Sequence, residues 1–412
     1  MLFVSQQQCR SCEGANLREV LAFGPTPLAD RLLTTPQPDP QMSVPLTLVF
    51  CPDCTLLQIL ETVAADVLFD EDYPYFSSVS PSLLEHFRAS ALALIASQQL
   101  GPESQVIEAA SNDGYMLKHF VQRGIPVLGI DPAGAPTEAA RSQGIPTLQA
   151  FFTEPLAHQL RAQRPEGADL FLANNVLAHV ADLNGFVRGI RTLLRPEGLA
   201  VIEVPYVVDL VDKCEFDTIY HQHLCTFSVT ALDRLFSRHG LHLSDVQRTT
   251  IHGGSLRLFV KIQRGQSPVV GQLINDEAHR GFGDLGTYLN FAARADQIRA
   301  RLRDLLWSIR SKGRIVGYGA AAKAATLLSY AGVDGQLIDY IVDKNAFKHG
   351  RFMGGNCLPI VPPARLLEDM PPYVLILAWN FAHEIMSEQR QYAARGGRFV
   401  VPIPEPKLVG SA

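Results

Sequence analysis

The sequence predicts an α/β protein with a small cysteine-bearing N-terminal lobe, a central Rossmann-like domain and a C-terminal Rossmann-like domain. Three observations carry that reading. Two Cys-x-x-Cys pairs, Cys9/Cys12 and Cys51/Cys54, lie near the start. Strand-like and helix-like runs alternate from about 80 to 265, as in a parallel sheet whose strands are joined by helices. A second strand, glycine turn and helix begins at 314–329. The expected units are residues 1–75, 76–267, a helical connector at 268–311, and 312–412. Within the connector, residues 295–311 mix Ile, Leu and Trp with Arg and Asp at helical spacing.

Composition narrows the function classes. Hydrophobic residues make up 47% of the 412 and charged residues 19%, enough apolar matter for several packed cores. A formal net charge of −5, with no basic domain, argues against a nucleic-acid partner. The start lacks the long apolar core of a secretory signal, and no run approaches the ~20 apolar residues that span a bilayer. A cytoplasmic protein without membrane attachment is therefore expected. Its cysteines should be reduced, metal-bound or buried rather than disulfide-paired. No oligomer signal stands out, and a monomer is expected.

The cysteine pairs are separated by a 38-residue excursion. Each pair lets two thiolates reach one ion from a tight turn, and together they complete a tetrahedral thiolate shell that suits zinc. The alternative is two unrelated Cys-x-x-Cys pairs, or redox dithiols. Four thiolates leave no open position for water, so the expected zinc is structural, held by Cys9, Cys12, Cys51 and Cys54. Cys214, Cys225 and Cys357 read as small buried hydrophobes.

The run 105–114 reads as a strand entering a small-residue turn, followed by a helix from about Tyr115 to Arg123. The next strand, Val127 to Ile130, ends in Asp131. A carboxylate there can accept hydrogen bonds from ribose hydroxyls. Ala110 and Asn112 stand where a glycine fingerprint has glycines, and Gly114 remains. A pyrophosphate wants barer backbone than this. S-adenosylmethionine carries no phosphate and needs carboxylates, which Glu108, Asp113 and Asp131 are placed to supply. Any one of these acids could instead be a turn or capping residue.

Further on, Tyr220, His221 and His223 form an acid–base cluster around Gln222. An imidazole can take a proton near neutral pH, and a phenol can stabilise a developing oxyanion. A metal pair or plain polar packing is the competing reading. His179 follows the strand-like run Asp169 to Ala173, at the end of a strand where ligands gather, although a lone histidine there is as readily structural. In the C-terminal part, Gly317-Tyr318-Gly319-Ala320-Ala321-Ala322 has the form G-x-G-x-x-A, and Asp343 lies 24 residues beyond Gly319. Taken alone this suits a nicotinamide-dependent oxidoreductase or sugar dehydratase. A non-catalytic zinc scaffold is the third possibility.

Taken in order, these motifs, with Asp72–Ser78, Asn174–His179, His252–Arg257 and Ala378–Phe381, resemble the nucleotide-sugar C-methyltransferase family over nearly the whole chain. The resemblance implies a zinc lobe, a central S-adenosylmethionine-binding methyltransferase domain and a C-terminal Rossmann-like domain that helps hold a nucleotide-diphosphate 4-keto-deoxysugar. It implies proton removal beside the ketone, at C3, and attack of the enolate on the methyl group. The family's base maps to His223, its tyrosine to Tyr220 and its second active-site histidine, the backup base, to His179, with Gln222 orienting a neighbour or the substrate. Expected cofactor residues are Tyr75, Glu108, Ala110, Asn112, Asp113, Gly114, Asp131, Pro132 and Asn174. Expected substrate residues are His221, His252, Ser255, Arg257, Tyr318, Lys323 and Asn380; the glycine turn and Lys323 would meet the diphosphate. The chain departs from the family pattern at Gln222, usually glutamate, at Ala109-Ala110, usually with a glycine, and at His383, often an acid.

Overall fold

The computed structural model describes residues 2–37, 43–68, 78 and 81–410, apart from the side chains of residues 66, 81 and 252. The central domain is a seven-stranded sheet in the order His242–Thr249, Ser255–Lys261, Leu194–Pro205, Ala168–Asn174, Val106–Ala109, Val127–Asp131, Thr147–Gln149. The last five are parallel to one another, and the first two form an antiparallel edge. All seven residues of Ala168–Asn174 are buried, as expected for a parallel strand covered on both faces. The chain leaves Val106–Ala109 toward one side of the sheet and later returns to its other side. The carboxyl ends therefore open a crevice beside residues 110–114.

The helix expected over Tyr115–Arg123 is shorter, Lys118–Val121. Its late start follows from the turn before it: Ala110 (φ 55°), Asn112 (φ 48°) and Gly114 (φ 76°) are all left-handed, which keeps the chain off a helical path.

The N-terminal lobe is built on a four-stranded antiparallel sheet, Arg18–Pro27, Ser43–Phe50, Leu57–Ile59 and Cys225–Thr226. The fourth strand comes from the central part of the sequence, which the motif pattern alone did not reveal. The connector consists of helices Pro268–His279 and Leu285–Arg310. On the longer one, Tyr288, Phe291, Ala295, Ile298, Leu302, Leu306 and Ile309 make a buried stripe at three- and four-residue spacing. From the shorter one, buried Glu277 accepts from Tyr206 Oη (2.9 Å), Val229 N (2.6 Å), Thr230 N (2.9 Å) and Thr230 Oγ1 (2.5 Å). It thereby satisfies the first free amides of helix Val229–Arg238.

The C-terminal domain is a six-stranded sheet, Ile360–Val361, Ile341–Val342, Ile315–Tyr318, Tyr373–Ile376, Arg398–Val401, Lys407–Val409, parallel except at its last strand. One continuous apolar cluster runs from the lobe (Phe50, Leu57) through the central sheet (Phe171, Ile202) and connector (Phe291) into the C-terminal sheet (Val374, Phe399). A second cluster packs helix Pro81–Ser97 on the other face of the central sheet. Among the described residues, no helix is long and apolar enough to cross a membrane.

Candidate functional site

The two cysteine pairs are near-copies in backbone. Glu13 N bonds Cys9 O and Thr55 N bonds Cys51 O at 2.9 and 2.8 Å, and the residue after each second cysteine, Glu13 or Thr55, is left-handed. Both turns point their sulfurs inward, so that all four Sγ atoms lie within 4.8 Å of one another. Zinc–sulfur bonds of about 2.3 Å in a tetrahedron place sulfurs about 3.8 Å apart. Helix Val229–Arg238 grips both turns: Arg238 bonds the carbonyl and hydroxyl of Ser11, and Arg234 bonds Asp53 O.

At the first turn, Asp131 accepts from Asn112 N (2.8 Å) and from Ala133 N (2.9 Å), so the acid ties the turn to the second strand. Glu108 is fully buried and bonded through Oε1 to Asn174 Nδ2 (3.0 Å) and Tyr115 Oη (3.2 Å). Burial pushes its carboxyl up to about 8 despite those bonds. Glu108 Oε2, Ser111 Oγ and Asp113 Oδ1 are buried with no hydrogen-bond partner among the described residues. Buried polar atoms are rarely left so, and three of them around one turn suit a polar, cationic ligand. A side chain on Gly114 would meet Ile145 at 2.3 Å, so the turn is also sterically committed to glycine there. Pro132 follows Asp131, and its carbonyl lies 3.5 Å from Gln149 Nε2. Tyr75 lies outside the described residues.

The histidine–tyrosine segment assembles as a unit. His223 Nδ1 lies 2.7 Å from Thr218 O, and its Nε2 lies 2.9 Å from Tyr220 Oη. A carbonyl only accepts, so Nδ1 carries the proton and Nε2 accepts from the tyrosine. His179 stacks edge-on to His223, with centroids 4.9 Å apart. Burial, then His223, drives its protonation down to about 3, opposed by a bond to the Gln222 backbone. Gln222 is buried, and its Nε2 has no partner among the described residues. Downstream, Leu224 N bonds Ala178 O (2.8 Å) and Ile59 N bonds Leu224 O (3.0 Å), tying this segment to His179 and to the lobe.

The expected substrate residues do not form one group. His221 is fully buried, with Nε2 3.0 Å from Pro45 O in the lobe. Ser255 Oγ bonds Ile251 O. Arg257 pairs with buried Glu203 (2.5 Å) beside His86, on the same sheet face as Asn174. Tyr318 is buried near Gln389. Lys323 bonds Asn380 Oδ1 and sits 4.0 Å from the Trp379 ring centroid. Burial lowers its pKa, opposed by Asp217 and Glu215. The His252 side chain is outside the described set. Asp343, placed by spacing as a ribose acid, accepts from Ala320 N and Asn345 N at 2.7 Å each. That is the tie Asp131 makes, so the spacing marks a turn architecture and does not select a cofactor.

Sequence reasoning missed Asp217, Trp379, Tyr115 and Glu203. Trp379 lies in the Ala378–Phe381 motif and Asp217 three residues before Tyr220, but nothing local says that an indole 162 positions away meets that acid.

Three family models match in succession: a zinc binding domain over residues 9–69, a methyltransferase domain over 83–246, and a C-methyltransferase C-terminal domain over 250–404. Among curated relatives, the C-methyltransferase NovU of Streptomyces niveus is 34% identical over 409 residues, spanning 98% of this chain and 97% of that protein. A ubiquinone biosynthesis O-methyltransferase of Stutzerimonas stutzeri (strain A1501) is 27% identical over 129 residues, 27% of this chain and 56% of that protein. Among solved structures, a Burkholderia thailandensis 1,6-didemethyltoxoflavin-N1-methyltransferase with bound S-adenosylhomocysteine matches at 19% identity and a TM-score of 0.33, covering 44% of this chain and 78% of that one.

Proposed function

Because this chain belongs to the C-methyltransferase family, we propose that it transfers a methyl group from S-adenosylmethionine to C3 of a nucleotide-linked 4-keto-deoxysugar through an enolate, in deoxysugar biosynthesis in the cytoplasm. Cys9, Cys12, Cys51 and Cys54 would hold a structural zinc, since four thiolates with their sulfurs within 4.8 Å of one another would leave no open position on the ion.

The observation that carries the chemistry is the contact of His223 Nδ1 with Thr218 O. With Nδ1–H committed to Thr218 O, Nε2 is the basic nitrogen. The Tyr220 hydroxyl hydrogen that covers Nε2 can turn to an incoming ketone oxygen, which bares the base and supplies a donor where charge develops. His179 resists protonation, so it serves as a neutral hydrogen-bonding neighbour rather than as the proton acceptor. Gln222, whose Nε2 has no partner among the described residues, offers that nitrogen to a substrate acceptor and moves no proton.

S-adenosylmethionine supplies an electrophilic methyl group. Glu108, Asp113 and Asp131 fit its ammonium and ribose, with Asn112, Gly114, Ala110, Pro132 and Asn174 shaping the cradle. Incubation with S-adenosylmethionine and a nucleoside-diphosphate 4-keto-6-deoxyhexose should release S-adenosylhomocysteine and give a product one methylene heavier. His223→Asn should lose roughly 10²–10⁴ in turnover and stop solvent-deuterium exchange at C3 without losing the cofactor. Wild-type exchange in that variant together with its loss in His179→Asn would swap the two histidines.

A further inference from the structure

We propose that Trp379 and Asp217 are positioning residues for the base, so that the C-terminal domain fixes which nitrogen of His223 reacts. The inference rests on His223 as the base. The tautomer of that imidazole is set by Thr218 O, at the end of the one-turn helix Phe216–Thr218. Within the turn, Thr218 Oγ1 bonds Glu215 O at 2.7 Å. Its outside anchors come from the C-terminal domain. Trp379 Nε1 donates to Asp217 Oδ2 at 2.7 Å, and Thr326 Oγ1, on helix Ala322–Ala331, donates to Ile219 O at 2.8 Å. The indole is itself held, with Lys323 over its face and that lysine bonded to Asn380.

The chemistry of Asp217 argues that it has a task. Its carboxyl is fully buried, and Oδ1 has no partner among the described residues. A buried acid with an orphan oxygen is a poorer packing element than an apolar side chain of the same size. What it provides is a directional acceptor for the indole donor and a charge facing the buried Lys323 above that indole, one residue before the carbonyl that holds the imidazole. A hydrogen-bond partner behind a reactive histidine is what selects its tautomer and aim, and among metal-bound histidines the loss of such a partner costs about 10–100-fold.

The test uses the full-length, metal-loaded protein labelled with ¹⁵N-histidine. NMR should show His223 with a protonated Nδ1 and an unprotonated Nε2. Trp379→Phe and Asp217→Leu should mix the tautomers and cut kcat about 10–100-fold, with S-adenosylhomocysteine affinity unchanged. Asp217→Asn keeps an oxygen acceptor for the indole and should regain most of what Asp217→Leu loses. If Trp379→Phe does not fold, Thr326→Val removes the second anchor and should shift the same signals. A wild-type tautomer with wild-type kcat in Trp379→Phe or Thr326→Val overturns the proposal. So does Asp217→Asn behaving like Asp217→Leu. Should His223→Asn instead keep full turnover while Trp379→Phe still mixes the tautomers, the base assignment falls and the positioning contact stands.

Discussion

Binding of S-adenosylhomocysteine should tighten about tenfold for each unit the pH rises between 6 and 7, and then level off above 8. The reasoning starts from Glu108, whose carboxyl is buried beneath Asn174 and Tyr115 and pushed up to about 8 by that burial. At pH 7, one unit below, only about one molecule in eleven carries the carboxylate, and at pH 6 about one in a hundred. A ligand ammonium that needs the charged form binds with an affinity scaled by that fraction. The penalty is about 1.4 kcal/mol at pH 7 and about twice that at pH 6. Calorimetry at pH 6, 7 and 8, in two buffers of different ionisation enthalpy, reads both the slope and the close to one proton released per ligand. Glu108→Gln should flatten the curve. A flat wild-type curve with no proton released would refute the pairing of Glu108 with the ammonium. The same shift has a sign for stability. The folded state holds this proton more tightly than the unfolded chain, so the contribution is complete below about pH 4.5 and is lost as pH rises through about 8.

Other outcomes follow from the geometry. Elemental analysis should find about one zinc per chain, and Cys12→Ser should lower the melting temperature; protein prepared without chelators yet lacking metal would exclude the site. Ala110→Gly should stabilise the fold by about 0.5–1 kcal/mol in urea titration. It relieves a left-handed alanine worth about 1–2 kcal/mol, against the added freedom of glycine in the unfolded chain. Glu277→Ala should cost about 2–4 kcal/mol, because it leaves Val229 N, Thr230 N and the Tyr206 hydroxyl without their shared acceptor.

What could be seen in the sequence was local. Cys-x-x-Cys turns, the Val106–Gly114 strand and turn, and Tyr220 with His223 each declare themselves within a few residues. Even the departure at Ala110 and Asn112 was legible, because the two positions that stand in for glycines are the ones the structure holds at positive φ. What stayed hidden depends on partners far along the chain. His221 looks like its neighbour His223, yet the tight turn closed by His223 N and Tyr220 O sends the two rings apart, and His221 meets Pro45 O in the lobe. Arg257 sits in a glycine-rich motif that suggests a ligand, but the antiparallel register sets it opposite Glu203. Gly253 and Gly254 in that motif answer a packing need, since a Cβ on either would run into Glu215 or Asp209.

The segment from Phe216 to Thr226 touches all three parts of the molecule: Trp379 and Thr326 hold its beginning, Ala178 its middle and Ile59 with the lobe sheet its end. Its chemistry is therefore not portable. A chimera that takes residues 312–412 from a relative must also bring an indole donor and a hydroxyl at these two places. A deletion of the lobe would take away the strand on which the segment ends. Recombination between such enzymes should succeed at junctions that leave these contacts paired, and elsewhere should give folded proteins with a misaimed histidine.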